Sequence, residues 1–329
     1  NDHSRLNKSM KIFIGIVIAL FIILAIPYFS KTLQLKTLTK SDLPKEGNWA
    51  NLSAGNIYYQ WYGPTVEANG EIIVLVHGFS TPSFVWKGIL DDLQSSGFKI
   101  LVYDHFGRGF SERPITSYTK DFYISALNEL LEHEAIHDPV HLVGYSMGGP
   151  IIGFYANQFP ERVRSLSLIA PAGFASPETV SLTDNLMYYP LVGEWFFNIF
   201  SDRFKNMLMP ESEDSDDSKA ITQEEYQILF SEQFQYKGLI EALLSTIRNF
   251  NLFSVLEMYS SVGETQKPVL AIWGKLDGVV PFSESEKLKQ TIPQAELVVI
   301  EEGTHDITYR QPSQVSKAIV RFLLKQKRY

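Results

Sequence analysis

The chain has no cysteine, and that absence removes several kinds of chemistry at once. No disulfide, thiolate nucleophile, thiolate metal site or lipoprotein anchor is available, and cysteine pairing says nothing of the redox compartment. Positive charge is also short: 29 Lys and Arg stand against 37 Asp and Glu, a formal net charge of −8. Non-specific nucleic-acid binding runs on clustered cations, so no nucleic-acid partner is expected. Among seven histidines no pair has zinc-ligand spacing backed by a third ligand, and no metal is expected. Internal repeats are missing too. What remains is a chain of 329 residues, 45% hydrophobic, able to bury a substantial core.

Arg5, Lys8 and Lys11 precede an almost unbroken apolar run from Ile12 to Phe29, long enough to cross a bilayer as a helix. Ile, Val and Phe occupy all its faces, unlike the single stripe of a core helix. The run ends Ala25-Ile26-Pro27-Tyr28-Phe29, with no small-x-small cleavage site. Residues 1–29 are therefore expected to be an uncleaved signal anchor that meets the membrane through residues 12–29, with the following domain extracytoplasmic in a bacterium. Cleavage and secretion is the alternative. Lys31, Lys36, Lys40 and Lys45 on the far side weaken the positive-inside argument. Residues 30–55, polar with Pro44 and Gly47, read as a tether.

Beyond the tether, Asn56 to Tyr62 alternates with aromatic and β-branched residues and reads as a strand, and buried-strand patterns follow at Glu71 to His77, Lys99 to Tyr103, Val140 to Gly144, Leu166 to Ala170, Val269 to Trp273 and Glu296 to Ile300. Helical stretches separate them. Continuously apolar strands alternating with helices predict an α/β domain with a mostly parallel, doubly wound sheet covered on both faces. The core is expected at 56–171 and 268–329. About a hundred residues between two of the strands exceed any single crossover, so 172–267 is expected to be a helical cap. The cap holds Tyr188, Tyr189, Trp195, Phe196, Phe197, Phe200 and Phe204, then the acidic stretch Glu211 to Asp217, which reads as a solvated loop. Trp195, Phe196 and Phe200 are candidates for lining a substrate site; the competing reading makes these aromatics the cap's own core.

Gly144-Tyr145-Ser146-Met147-Gly148 falls where a buried strand meets a helix, the context of a nucleophile elbow. A sharp turn there leaves no room for side chains two residues either side of Ser146. A serine hydroxyl is a weak nucleophile until a base takes its proton. His305, in Gly303-Thr304-His305 after the final strand, is the expected base. Asp277, in Trp273-Gly274-Lys275-Leu276-Asp277 after a buried strand, is the expected acid, fixing the tautomer of the base. The rival acids are weaker: Asp104 opens a turn where a carboxylate holds backbone N–H groups, and Asp306 is adjacent to His305. The oxyanion made by attack on an ester needs preorganised donors, and the backbone N–H groups of Phe79 and Met147 are the candidates. Such a triad activates its own nucleophile and implies no cofactor.

In their order, His77-Gly78-Phe79, Asp104 to Ser111, Gly144 to Gly149, Trp273 to Pro281 and Gly303 to His305 resemble the motifs of the α/β-hydrolase superfamily, and within it the capped esterases and monoacylglycerol lipases. The resemblance runs from about Asn56 to Leu324. It implies a serine carboxylic-ester hydrolase working through an acyl-enzyme on a small lipophilic ester, and leaves oligomeric state open. Thr304 is a departure, since relatives often carry Gly before the histidine. Epoxide hydrolases and haloalkane dehalogenases of the same fold use an aspartate nucleophile, where this chain has Ser146. A carbon–carbon bond hydrolase on the same triad is an alternative, with Arg108 and Arg248 as candidate carboxylate binders. A non-catalytic, membrane-tethered binding domain is a third reading.

Overall fold

A computed structural model describes residues 2–174, 182–209 and 215–326, with the backbone alone for residues 2–9 and 182–184. Residues 211–214 of the acidic stretch lie outside the described residues. The chain opens on helix α1 (Asp2–Thr32). Within it Met10–Thr32, 23 residues, is long and apolar enough to cross a membrane, and its most apolar stretch is exposed.

Eight strands form one sheet: β1 (Asn48–Leu52), β2 (Gly55–Tyr62), β3 (Ile72–Val76), β4 (Lys99–Tyr103), β5 (Val140–Tyr145), β6 (Val163–Ile169), β7 (Val269–Gly274) and β8 (Glu296–Ile300). Their spatial order is β1-β2-β4-β3-β5-β6-β7-β8. Pairing is parallel from β4 through β8, while β1 and β2 join as an antiparallel edge. The sheet thus begins earlier than the sequence pattern suggests. Residues 48–52, expected as tether, form an edge strand whose Ala50 and Leu52 turn into the core.

Side chains alternate across a strand, so each apolar strand feeds two cores. Val74, Val76, Leu142 and Leu168 meet helices α3 (Lys120–His133) and α4 (Gly148–Gln158) on one face. Ile73, Leu75, Val143 and Ile272 meet α2 (Leu90–Ser95) and the last helix on the other. Thr119 starts α3 by accepting from the Phe122 N–H, an N-cap of the usual kind.

Between β6 and β7 come α5 (Leu182–Met187), α6 (Val192–Ile199), α7 (Ser201–Leu208), α8 (Gln223–Glu232), α9 (Leu239–Asn249) and α10 (Leu256–Glu264). Met187, Phe197, Phe204, Leu239, Ile240, Leu243 and Leu244 make a separate small core. The ends of the insertion go elsewhere: Met258, Tyr259 and Val262 of α10 join the first sheet face, and Tyr226 and Phe230 of α8 the second. After β7 follow α11 (Glu284–Thr291), then, beyond β8, α12 (Ile307–Arg310) and α13 (Pro312–Gln326).

In an open parallel sheet the loops at the carboxyl ends of the strands share one edge. The loops after β3, β5, β7 and β8 are the ones that matter here.

Candidate active site

Ser146 occupies the turn from β5 to α4 with φ of 52°, a left-handed conformation costly for a residue with a Cβ. The turn is possible only because its flanks are bare. A Cβ on Gly144 would lie 2.4 Å from the Gly148 carbonyl oxygen, and one on Gly148 would lie 2.1 Å from the Val76 oxygen.

Ser146 Oγ is 3.0 Å from His305 Nε2, and His305 Nδ1 is 2.8 Å from Asp277 Oδ2. The three residues, 131 and 28 positions apart in sequence, meet because β5, β7 and β8 end at one edge. The Asp277 carboxylate is buried, and its other oxygen accepts the N–H groups of Val279 and Val280, both at 2.8 Å. Those bonds fix the carboxylate, and the carboxylate fixes the ring. With Nδ1–H donated to Asp277, Nε2 is the acceptor that faces the serine hydroxyl. The acid and base loops are also tied by backbone: Leu276 N–H donates to the Gly303 oxygen at 2.8 Å and Lys275 N–H to Ile300 at 2.9 Å.

The rival acids are otherwise engaged. Asp104 accepts from the N–H groups of Ser83 and Phe110 at 2.8 and 2.9 Å, and burial pushes its carboxyl pKa up. Asp306 accepts from the Thr304 hydroxyl and faces Arg310. Thr304, the departure from the related motif, thereby engages one oxygen of the neighbouring carboxylate.

The loop after β3 lies against the nucleophile: a Cβ on Gly78 would sit 3.3 Å from Ser146 Cβ. Four consecutive carbonyls of this loop are each held by a side chain. His105 Nε2 contacts the His77 oxygen at 3.0 Å, His77 Nδ1 the Gly78 oxygen at 2.9 Å, Arg108 Nε the Phe79 oxygen at 2.7 Å, and Gln233 Nε2 the Ser80 oxygen at 2.8 Å. In a trans peptide the N–H points opposite to the carbonyl before it, so His77, by holding the Gly78 oxygen, aims the Phe79 N–H the other way. Neither the Phe79 nor the Met147 N–H has a protein acceptor among the described residues. The His77 ring accepts in turn from the His105 N–H at 2.9 Å. Both rings are fully enclosed, 4.1 Å apart, and burial lowers their pKa values, that of His105 to about 3. They are neutral structural groups.

Sequence reasoning singles out Ser146, His305 and Asp277, the three residues that meet here, because each follows a recognisable strand. It misses Gln233 as a holder of the loop, since Ser80 and Gln233 lie 153 residues apart and nothing local marks the pair. The aromatics of the insertion divide. Phe197 and Phe204 are buried in its small core, while Phe196, its ring tilted against that of Phe200, packs on the rim, as does Phe79. Trp195 is turned to α1, its Nε1 donating to the Leu24 carbonyl oxygen at 2.7 Å. Arg248 pairs with Glu194 and donates to the Met187 oxygen, so its charge is taken up inside the cap. A cavity of about 520 Å³ is lined by Tyr58, Pro82, Phe110, Gln233 and Tyr236 among others, and includes none of Ser146, Asp277 and His305.

A family model described as the alpha/beta hydrolase fold matches residues 71–310. Lipase 3 of Moraxella sp. (strain TA144) is 27% identical over 289 residues, 86% of this chain and 85% of that protein. A monoacylglycerol lipase of Xenopus laevis, abhd6-B, is 26% identical over 285 residues, 82% and 80% of the two chains. Among solved structures, a bromoperoxidase from Bacillus anthracis aligns with a TM-score of 0.66 at 21% identity, covering 84% of this chain and 99% of that one. A membrane phospholipase A aligns at a TM-score of 0.65 and 17% identity, covering 99% and 100%.

Proposed function

The chain belongs to the alpha/beta hydrolase fold family, and from that premise we propose that it is a membrane-anchored serine hydrolase of lipophilic carboxylic esters, with Ser146 as nucleophile. The observation that carries this reading is the unbroken chain of hydrogen bonds Ser146–His305–Asp277. Ser146 Oγ attacks the ester carbonyl carbon as its proton passes to His305 Nε2. Asp277 stabilises the imidazolium so formed. The oxyanion accepts from the N–H groups of Phe79 and Met147, where fixed donors are worth far more than in water. Collapse expels the alcohol, which takes the proton from Nε2, and leaves an acyl-serine. Water attacks that ester with His305 again as base, and the acid departs.

The lipase and monoacylglycerol lipase relatives, with the apolar surface that Phe79 and Phe196 present beside the cap core, support a lipophilic acyl group as substrate. The length and apolarity of α1 support attachment to a membrane; its role as a signal anchor, with the domain on the extracytoplasmic side, is part of the proposal. Within the insertion we assign the role of cap to α5, α6, α7 and α9, which share a core of their own. Carbon–carbon hydrolysis is not favoured, because Arg248 is paired within the cap and Arg108 serves the Phe79 carbonyl.

The test is fluorophosphonate labelling of the full-length protein and of Ser146→Ala, followed by rates on p-nitrophenyl esters and monoacylglycerols of increasing chain length. Labelling lost in S146A, with rates peaking at one chain length, is the expected result. Folded, labelled protein that turns over no ester of any length would overturn the ester reading.

A further inference from the structure

One residue joins the loop after β3 to the insertion between β6 and β7 and, through the turn after α8, to the segment that leaves α1. Gln233 lies in the short turn Gln233–Gln235 after α8 and is 2% exposed. Its amide nitrogen donates to the Ser80 oxygen at 2.8 Å, and its amide oxygen accepts from the Gly109 N–H at 3.3 Å. Gly109 follows Arg108, whose Nε holds the next carbonyl back, that of Phe79, and whose Nη2 reaches Thr246 of α9 at 2.9 Å. A single amide of the insertion thus grips the loop that carries Phe79 and the loop after β4 whose Arg108 holds it.

The same turn is stitched to the tether. Lys36 N–H donates to the Gln235 oxygen at 2.8 Å, Lys237 N–H donates to the Lys36 oxygen at 2.9 Å, and Lys36 Nζ reaches Gln235 Oε1 at 3.0 Å. Lys36 and Tyr236 form a parallel bridge only four residues past the end of α1. On the other side of Gln233 lies the cavity of about 520 Å³, which leaves the turn unfilled space to move into.

We propose that Gln233 is a positioning residue for the oxyanion loop, and that through it the tether after α1 sets the geometry of the hole. The inference rests on the serine-hydrolase reading of this site. Its physical basis is the sensitivity of a preorganised site to small displacements, where a shift of about 1 Å costs roughly 100-fold in rate. Pulling residue 36 moves the backbone at 235–237, hence the amide at 233, hence the Ser80 carbonyl and the peptide that carries the donor.

The experiment is a double-mutant cycle on the full-length protein in detergent micelles. Gln233→Met removes donor and acceptor at similar volume. Gln233→Glu keeps the acceptor for Gly109 and loses the donor to Ser80. Lys36→Pro removes the N–H given to Gln235. For each single variant and for the Met/Pro pair, kcat and KM on p-nitrophenyl butyrate are measured, together with the rate of fluorophosphonate labelling of Ser146. Both substitutions at Gln233 are expected to lower kcat and the labelling rate about 10- to 100-fold, with KM changed only a few-fold. Lys36→Pro is expected to act in the same direction, and the pair to be no slower than Q233M alone. Unchanged kcat in both Gln233 variants, or losses that multiply in the pair, would overturn the proposal. If wild type is labelled yet turns over no ester, the ester reading fails and the labelling rates still decide this one.

Discussion

Trp195 in the cap and Leu24 in α1 are joined by a hydrogen bond of 2.7 Å, indole Nε1 to backbone carbonyl oxygen, and that carbonyl lies within the stretch apolar enough to cross a membrane. The cap is therefore docked on α1, and the indole that the sequence suggests for substrate is spent on that contact. The nearby ion pair of Lys31 and Asp202, at 3.8 Å with both side chains exposed, adds little. Trp195→Phe should loosen the seam by about 1 kcal/mol, the net worth of one hydrogen bond. Limited proteolysis reads this as faster cleavage within residues 33–47, while fluorophosphonate labelling of Ser146 persists. Proteolysis at the wild-type rate would mean that the bond does not hold the seam.

The two carboxylates near His305 should separate by role. Asp277→Asn presents an amide N–H toward Nδ1 and favours the wrong ring tautomer, so kcat should fall about 10⁴-fold in a folded protein. Asp306→Asn weakens contacts with Thr304 and Arg310 and should lower the thermal midpoint with kcat changed only a few-fold. Steady-state kinetics beside thermal melts distinguish the two, and a reversed pattern would reassign the acid.

Gly148→Ala drives a methyl group to 2.1 Å from the Val76 carbonyl oxygen, where backbone cannot give way, and should cost about 3 kcal/mol or more. Gly278→Ala meets nothing within 4 Å and should stay within about 0.5 kcal/mol of wild type. Denaturant melts of the pair test whether the elbow is sterically closed as drawn.

Acid should destabilise the fold through His77 and His105. Their folded pKa values are lowered, that of His105 to about 3, so below pH 6.5 the unfolded chain binds protons that the folded chain refuses. For each ring the loss of stability sets in as pH falls below about 6.5, and for His105 it continues toward about pH 3, by up to about 1.4 kcal/mol per pH unit. His105→Asn, weaker at pH 7, should show a shallower decline between pH 6.5 and 4 by differential scanning fluorimetry. An equal slope in both proteins would remove the buried histidines as the cause.

Strands β3 to β7 are legible in the sequence because largely buried strands leave apolar runs, and half-buried β2 and β8 are legible from their aromatic and β-branched residues. Strand β1 leaves none: Asn48-Trp49-Ala50-Asn51-Leu52 carries two asparagines and no β-branched residue, and it is a strand because β2 offers it an open edge. The triad candidates are legible because strand ends and glycines mark each of them. The cap is legible as a length, and less so as a surface. Nothing in the run of aromatics says that Phe197 and Phe204 turn inward while Tyr189, 61% exposed, turns out. Those choices follow from which helix packs on which, a non-local matter, as does the pairing of Gln233 with Ser80.

The bridge at Lys36 comes four residues after Thr32, a length that even a fully extended chain covers in about 14 Å. With α1 in a bilayer, the domain is on a leash shorter than its own width. It samples no volume of solution, only the strip of headgroups beneath it. An ester reaches such a site by lateral diffusion, and the concentration the enzyme responds to is molecules per area of membrane. Kinetics plotted against bulk molarity should then collapse onto one curve when replotted against surface mole fraction.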